Sequence, residues 1–112
     1  MEKFEYRNPR FSADLDARFT VDNVQYTGRC KEVSRAGMTL QVEEMLPIHS
    51  TGKLSLEFLN HFVEVGARVM HVEEDRLGLV FVYETDAERR SIMRLVEAVA
   101  VAANRVGPVL LP

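Results

Sequence analysis

From residue 14 the chain alternates, with Leu15, Ala17, Phe19 and Val21 apolar and Asp14, Asp16, Arg18 and Thr20 polar. A period of two places the two sets on opposite faces, which predicts a half-buried strand. Asp22 and Asn23 tolerate left-handed backbone, so a hairpin turn is expected there. The return strand reads from Gln25 to Val33, with Tyr26, Gly28 and Cys30 on one face, Thr27, Arg29 and Lys31 on the other, and Gly28 as the expected bulge. A turn at Ser34-Arg35-Ala36-Gly37 leads into a third strand carrying Met38, Leu40 and Val42 inward. Met45 to Gly52 contains Pro47 and reads as a loop, and Leu54, Leu56 and Phe58 form a fourth strand. Asn60-His61 is the next expected turn. A fifth strand, Phe62 to Glu73, comes after it with Val63, Val65, Ala67 and Val69 inward and a bend at Gly66. Glu74-Asp75-Arg76 closes a last hairpin before Leu77, Leu79, Phe81 and Tyr83.

The period then changes. Thr85-Asp86-Ala87-Glu88 has capping-box spacing, and Ile92, Leu95, Val96, Val99 and Ala103 repeat at helical spacing opposite Glu88, Arg89, Arg90 and Arg94. This predicts a helix ending at Asn104 or Arg105, with Gly107-Pro108 as its stop. Ala98, Val101 and Ala102 widen the apolar stripe, and the tail Val109-Leu110-Leu111-Pro112 is apolar as well. Either a protein partner or a second copy covers that surface, or the tail folds back on the strands. Six short antiparallel strands and one late helix predict a mainly β fold, a six-stranded antiparallel β-barrel with a C-terminal α-helix, an open sandwich being the alternative. Residues 1–13 read as a flexible arginine-bearing segment, 14–84 as the barrel and 85–112 as helix and tail, one domain in all.

Composition narrows the function. The 112 residues carry 14 Lys plus Arg against 17 Asp plus Glu, a formal charge of −3, so the broad basic field that duplex nucleic acid requires is missing. Single-strand binding by aromatic platforms is also disfavoured, since Phe11, Phe19, Phe58 and Phe81 fall at core-like alternating positions. The lone Cys30 cannot form an intrachain disulfide, and Cys30, His49, His61 and His71 lack ligand spacing for a metal. The N-terminus reads as no signal peptide and no run reaches the ~18 apolar residues of a membrane span, so a cytoplasmic location is expected. No histidine has a Ser, Cys or carboxylate at dyad spacing, and the glycines form no phosphate loop. An enzyme is not expected.

Two segments stand out, Tyr6-Arg7-Asn8-Pro9-Arg10-Phe11 before the first strand and Glu32-Val33-Ser34-Arg35-Ala36-Gly37 after the second. Arginines before the first barrel strand, then a turn of the form Asp/Asn-x-Ser-x-x-Gly, resemble the PilZ domain family, bacterial receptors for cyclic di-GMP. The resemblance extends through Gly37-Met38-Thr39-Leu40, Gly52-Lys53-Leu54-Ser55-Leu56, Ala67-Arg68-Val69 and Leu77-Gly78-Leu79-Val80-Phe81. Two departures are visible. Tyr6 stands where the family's Arg-x-x-x-Arg would begin, with Arg7 one position late, and Glu32 replaces Asp or Asn.

The resemblance implies a six-stranded barrel and a ligand site of Arg7, Arg10, Glu32, Ser34, Arg35 and Gly37. A guanidinium pairs bidentately with phosphate oxygens or with guanine O6 and N7 and can stack on a base, which suits Arg7 and Arg10. Glu32 is expected to accept from guanine N–H groups, Ser34 to bond a base or phosphate, and Gly37 to allow a tight turn at positive φ. Arg35 adds a cation to that turn, and Arg18 and Arg29 are candidates to extend the basic site. The expected function is a stand-alone cyclic di-GMP receptor whose N-terminal segment closes on the ligand and which signals through protein–protein contacts. The alternative is a degenerate adaptor that binds no nucleotide and acts in motility, pilus or chemosensory assemblies. Its contact surface is then the helix around Ala98, Val101 and Ala102.

Overall fold

A computed structural model describes residues 9–109, with side chains described as far as residue 103. In chain order it contains β1 (Phe11–Val21), β2 (Val24–Val33), β3 (Gly37–Gln41), β4 (Thr51–Phe58), β5 (His61–Glu73), β6 (Arg76–Val82) and α1 (Asp86–Val109). The strands close into an antiparallel barrel in the order β1-β2-β3-β6-β5-β4, and β4 returns to pair with β1 from Asp16↔Glu57 to Thr20↔Lys53. The expected barrel is therefore the observed one, and it is closed.

Alternation decides what the barrel encloses. Phe19, Leu40, Leu54 and Leu77 point inward from four strands and are fully buried, and Ile92 and Leu95 of α1 join them. Each such side chain contributes about 1.5–3 kcal/mol by leaving water. The helix packs on β5 and β1. Its first turn is capped as the sequence predicts on one side, the Glu88 amide donating to Thr85 Oγ1 at 3.1 Å. The Glu88 carboxylate reaches back one residue further than expected, accepting from the Glu84 amide at 2.7 Å.

Several boundaries differ from the sequence reading. β1 begins at Phe11, because Phe11 and Ala13 already pack against the core, so the segment before the barrel is shorter than residues 1–13. The β1–β2 turn is left-handed at Asp22 (φ 51°) and Asn23 (φ 68°), as their side chains favour. The β4–β5 hairpin turns at Leu59-Asn60 with Leu59 at φ 54°, and His61 already pairs with Phe58. Gly28 and Gly66 mark no bulge: Gly28 pairs in register with Ala17 and Gly66 with Val82. The helix backbone continues past the expected stop at Gly107-Pro108 to Val109. Ala103, expected on the buried stripe, is exposed, since the buried face ends at Val99.

Candidate ligand-binding cleft

The register of the sheet breaks at three places near one end of the barrel. In the β1–β2 ladder it shifts between Ser12 and Leu15, in β2–β3 between Cys30 and Glu32, and in β5–β6 between Val69 and His71. Each inserts one residue more on one strand than on its partner, and a bulge of this kind re-aims the side chains beside it. On β2 the extra Lys31 lets Cys30 and Val33 stay buried while Glu32 turns to the outside. On β5 the extra Met70 leaves both Met70 and His71 outside, between buried Val69 and half-buried Val72. The result is one outward row across five strands, Ser12, Glu32, Thr39, Gly78 and His71, each paired with its neighbour in the row.

Above this row lies a cleft of about 400 Å³. Arg10, Glu32, Ser34 and Gly37 line one side, and Met70, His71 and Gly78 lie at the other. Arg10 Nη1 stands 3.4 Å from Glu32 Oε1, and the two side chains are 63% and 42% exposed. An exposed pair of that kind is worth about 0–1 kcal/mol, so Arg10 is easily recruited by a stronger anion.

The β2–β3 turn is a rigid piece. The Ser34 amide donates to Gly37 O at 2.8 Å, and Ser34 Oγ accepts from the amides of Ala36 (3.1 Å) and Gly37 (3.2 Å) while donating to Gly37 O at 3.3 Å. The serine is 6% exposed and its hydroxyl holds the turn together. Gly37 was expected at positive φ, yet no described glycine has one. What demands glycine is proximity: a Cβ there would stand 2.1 Å from Leu79 O of the adjoining strand. The turn is also tied to the end of β6 and to the residue just beyond that strand, the Phe81 amide donating to Ala36 O at 2.8 Å and the Tyr83 hydroxyl donating to Arg35 O. Arg89 of α1 lies over the Tyr83 ring, 4.7 Å from its centre.

The structure thus brings together four of the six residues singled out from the sequence. Arg35 is exposed and is not part of the cleft wall; its carbonyl serves Tyr83. Arg7 lies outside the described residues. Arg29 does not extend the basic side, because its guanidinium bonds Asp14 (2.9 Å) and Asp16, with Lys31 adding a bond to Asp14 at 3.3 Å. Arg29 and Lys31 hold the Asp14 carboxyl below the usual range, and Asp14 in turn raises Arg29. Burial pushes the Cys30 thiol up to about 12, which removes it as a nucleophile. Sequence reasoning missed Met70, His71 and Gly78 as cleft residues, since alternation gives no warning of a bulge.

The family model for the PilZ domain matches residues 6–98. No curated protein matches the sequence at a significant level. Among solved structures, the PilZ domain of YcgR from Escherichia coli with c-di-GMP superposes with a TM-score of 0.79 at 16% identity, over 94% of this chain and 98% of that one. The PilZ domain of CeSA from a cellulose-synthesizing bacterium gives 0.70 at 15% identity, over 80% and 96%. K. pneumonia MrkH in its apo state gives 0.71 at 16% identity, over 88% of this chain and 52% of that one. At such identities the shared property is the fold, while the family model covers most of the sequence. The chain belongs to the PilZ domain family.

Proposed function

We propose that this protein is a cyclic di-GMP receptor that acts by binding rather than by catalysis. The observation that carries the reading is the convergence of Arg10, Glu32 and the Ser34–Gly37 turn on one cleft of a PilZ barrel. A cleft of about 400 Å³ falls within the range usual for small-molecule sites. A c-di-GMP-bound PilZ domain among the structural neighbours supports the same ligand class. In this reading Arg10, with Arg7 from the preceding segment, exchanges its weak bond to Glu32 for phosphate or guanine contacts. Glu32 then accepts from guanine N–H groups, and the turn offers backbone close to the ligand, with Arg35 as a cation on its outer side. Ligand binding engages the arginine-bearing segment before β1, and the changed surface is read by a protein partner or a second copy at the exposed side of α1. The expected setting is the cytoplasm; no helix among the described residues is long and apolar enough to cross a membrane.

Calorimetric titration with cyclic di-GMP, with GTP as control, tests this. Saturable binding is expected, weakened by about 1–3 kcal/mol in Arg10→Ala. An affinity unchanged in Arg10→Ala refutes the assigned role. A second reading, an adaptor without nucleotide binding, is favoured by Glu32 standing where the family has Asp or Asn and pairing with Arg10. Absence of any cyclic di-GMP binding decides for it.

A further inference from the structure

The far side of the cleft lies outside both sequence motifs and has a form of its own. In the row Thr39, Gly78, His71 the middle position has no side chain. Neighbouring strands lie ~4.8 Å apart, so Thr39 and His71 flank a slot about 10 Å wide between backbones, floored by the Gly78 main chain. Met70 stands beside it, 47% exposed, an apolar and polarisable thioether of the kind that packs against ring faces. The His71 side chain is 68% exposed. An open slot with a bare floor and one aromatic wall suits a flat heteroaromatic ring. Arg10 and the Ser34–Gly37 turn lie at the opposite side.

We infer that the slot over Gly78, walled by Met70 and His71, seats one purine of the ligand, and that His71 selects guanine by accepting from its Watson–Crick edge. The inference rests on the receptor reading and adds a specificity residue to it. His71 Nε2 lies 3.2 Å from Glu73 Oε1. An ionised carboxylate only accepts, so Nε2 carries the proton in this pair, and Nδ1 is the ring nitrogen left to accept whenever the imidazole is uncharged. Guanine offers N1–H and an N2 amino group to such an acceptor. Adenine's same edge has one donor, the N6 amino group, beside a bare N1 whose lone pair opposes Nδ1, so it offers a single donor where guanine offers two adjacent ones. Gly78 is the positioning residue: a Cβ there would sit 3.0 Å from His71 Cβ, filling the floor and pressing on the ring.

The test is a calorimetric titration of the wild type, His71→Ala, His71→Gln and Gly78→Ala with cyclic di-GMP and with cyclic di-AMP. The wild type is expected to prefer cyclic di-GMP. His71→Ala is expected to lose about tenfold in affinity for it and to narrow the preference between the two, the amount one hydrogen bond accounts for. His71→Gln, whose carbonyl also accepts, recovers part of the loss, and Gly78→Ala weakens binding with the melting temperature little changed. Wild-type affinity and wild-type preference in His71→Ala overturn the inference while leaving the receptor reading intact. A wild type that binds neither dinucleotide overturns the receptor reading, and the purine seat falls with it.

Discussion

Gly37→Ala is the sharpest test of how the site turn is built. The new Cβ would lie 2.1 Å from Leu79 O, whereas a carbon and a carbonyl oxygen rest at about 3.3 Å or more. The start of β3 must therefore retreat from β6 by roughly 1 Å. That movement strains two bonds anchored on the same backbone, Ser34 N to Gly37 O and Phe81 N to Ala36 O, both 2.8 Å. Losing both costs about 1–3 kcal/mol, and the residual overpacking adds about 1–3 kcal/mol. The sum, roughly 2–6 kcal/mol, is a large part of the ~5–15 kcal/mol that holds an ordinary domain together. Urea unfolding followed by far-UV circular dichroism should show a lowered midpoint with an unchanged slope. Gly78→Ala is the control: the nearest atom to its Cβ is a side-chain carbon, His71 Cβ at 3.0 Å, and relief of glycine's entropy loss in a strand offsets the contact, so the expected cost is no more than about 1 kcal/mol. A Gly37→Ala protein within about 0.5 kcal/mol of wild type, below the ordinary noise of surface substitutions, would falsify the close-approach account.

Other substitutions probe separate parts of the same structure. Ser34→Ala leaves the Ala36 and Gly37 amides without their side-chain acceptor in a buried turn and should cost about 1–3 kcal/mol in the same urea assay; a neutral result means water replaces the hydroxyl. Thr85→Ala removes the acceptor for the Glu88 amide and should lower stability by about 1 kcal/mol, and an unchanged midpoint shows the Glu88–Glu84 bond sufficing alone. Cys30 holds its proton to about 12 in the fold against 9.0 when exposed, so its contribution is complete below pH 9 and is lost as pH climbs from 9 toward 12. Three pH units correspond to at most roughly 4 kcal/mol, and stability measured over that window should fall less steeply in Cys30→Ala; equal slopes contradict the burial argument.

The barrel was legible because its six strands alternate cleanly and its turns carry Asp22-Asn23, Ser34–Gly37 and Glu74-Asp75, residues whose local chemistry favours reversal. The helix start was legible from Thr85 and Glu88 for the same reason. Bulges were not. Gly28 and Gly66 drew attention because glycine often marks them, yet both lie in regular register. The true insertions fall at Ala13-Asp14, Lys31 and Met70, ordinary residues whose placement is set by which neighbours must stay inside. Cys30 and Val33 are separated by two residues, and both are buried. Strict alternation would send one of them to solvent, so the strand must bulge between them. Met70 and His71 illustrate the converse, two consecutive outward residues that a period of two cannot produce. One side of the cleft could thus be read from motif residues, while the other exists only because β5 slips by one.

The same turn that lines the cleft is fastened to the start of the helix through a single side chain. Tyr83 donates to the Arg35 carbonyl, and its ring lies beneath Arg89, one turn into α1. Burial raises the phenol above its ordinary value more than Arg89 and Arg35 lower it, so at neutral pH the hydroxyl remains a donor. A half-exposed hydrogen bond contributes about 0.5–1.5 kcal/mol and an exposed cation–π contact about 0.5–1 kcal/mol. Those two contacts cap what the turn and the helix can exchange through Tyr83 at about 1–2.5 kcal/mol. An equilibrium at α1 can therefore be moved through this link by no more than roughly 5- to 70-fold, within or just below the usual scale of coupling between distant sites. A larger response needs a second route, and β5 offers one, since it carries Met70 and His71 at the cleft and packs against α1.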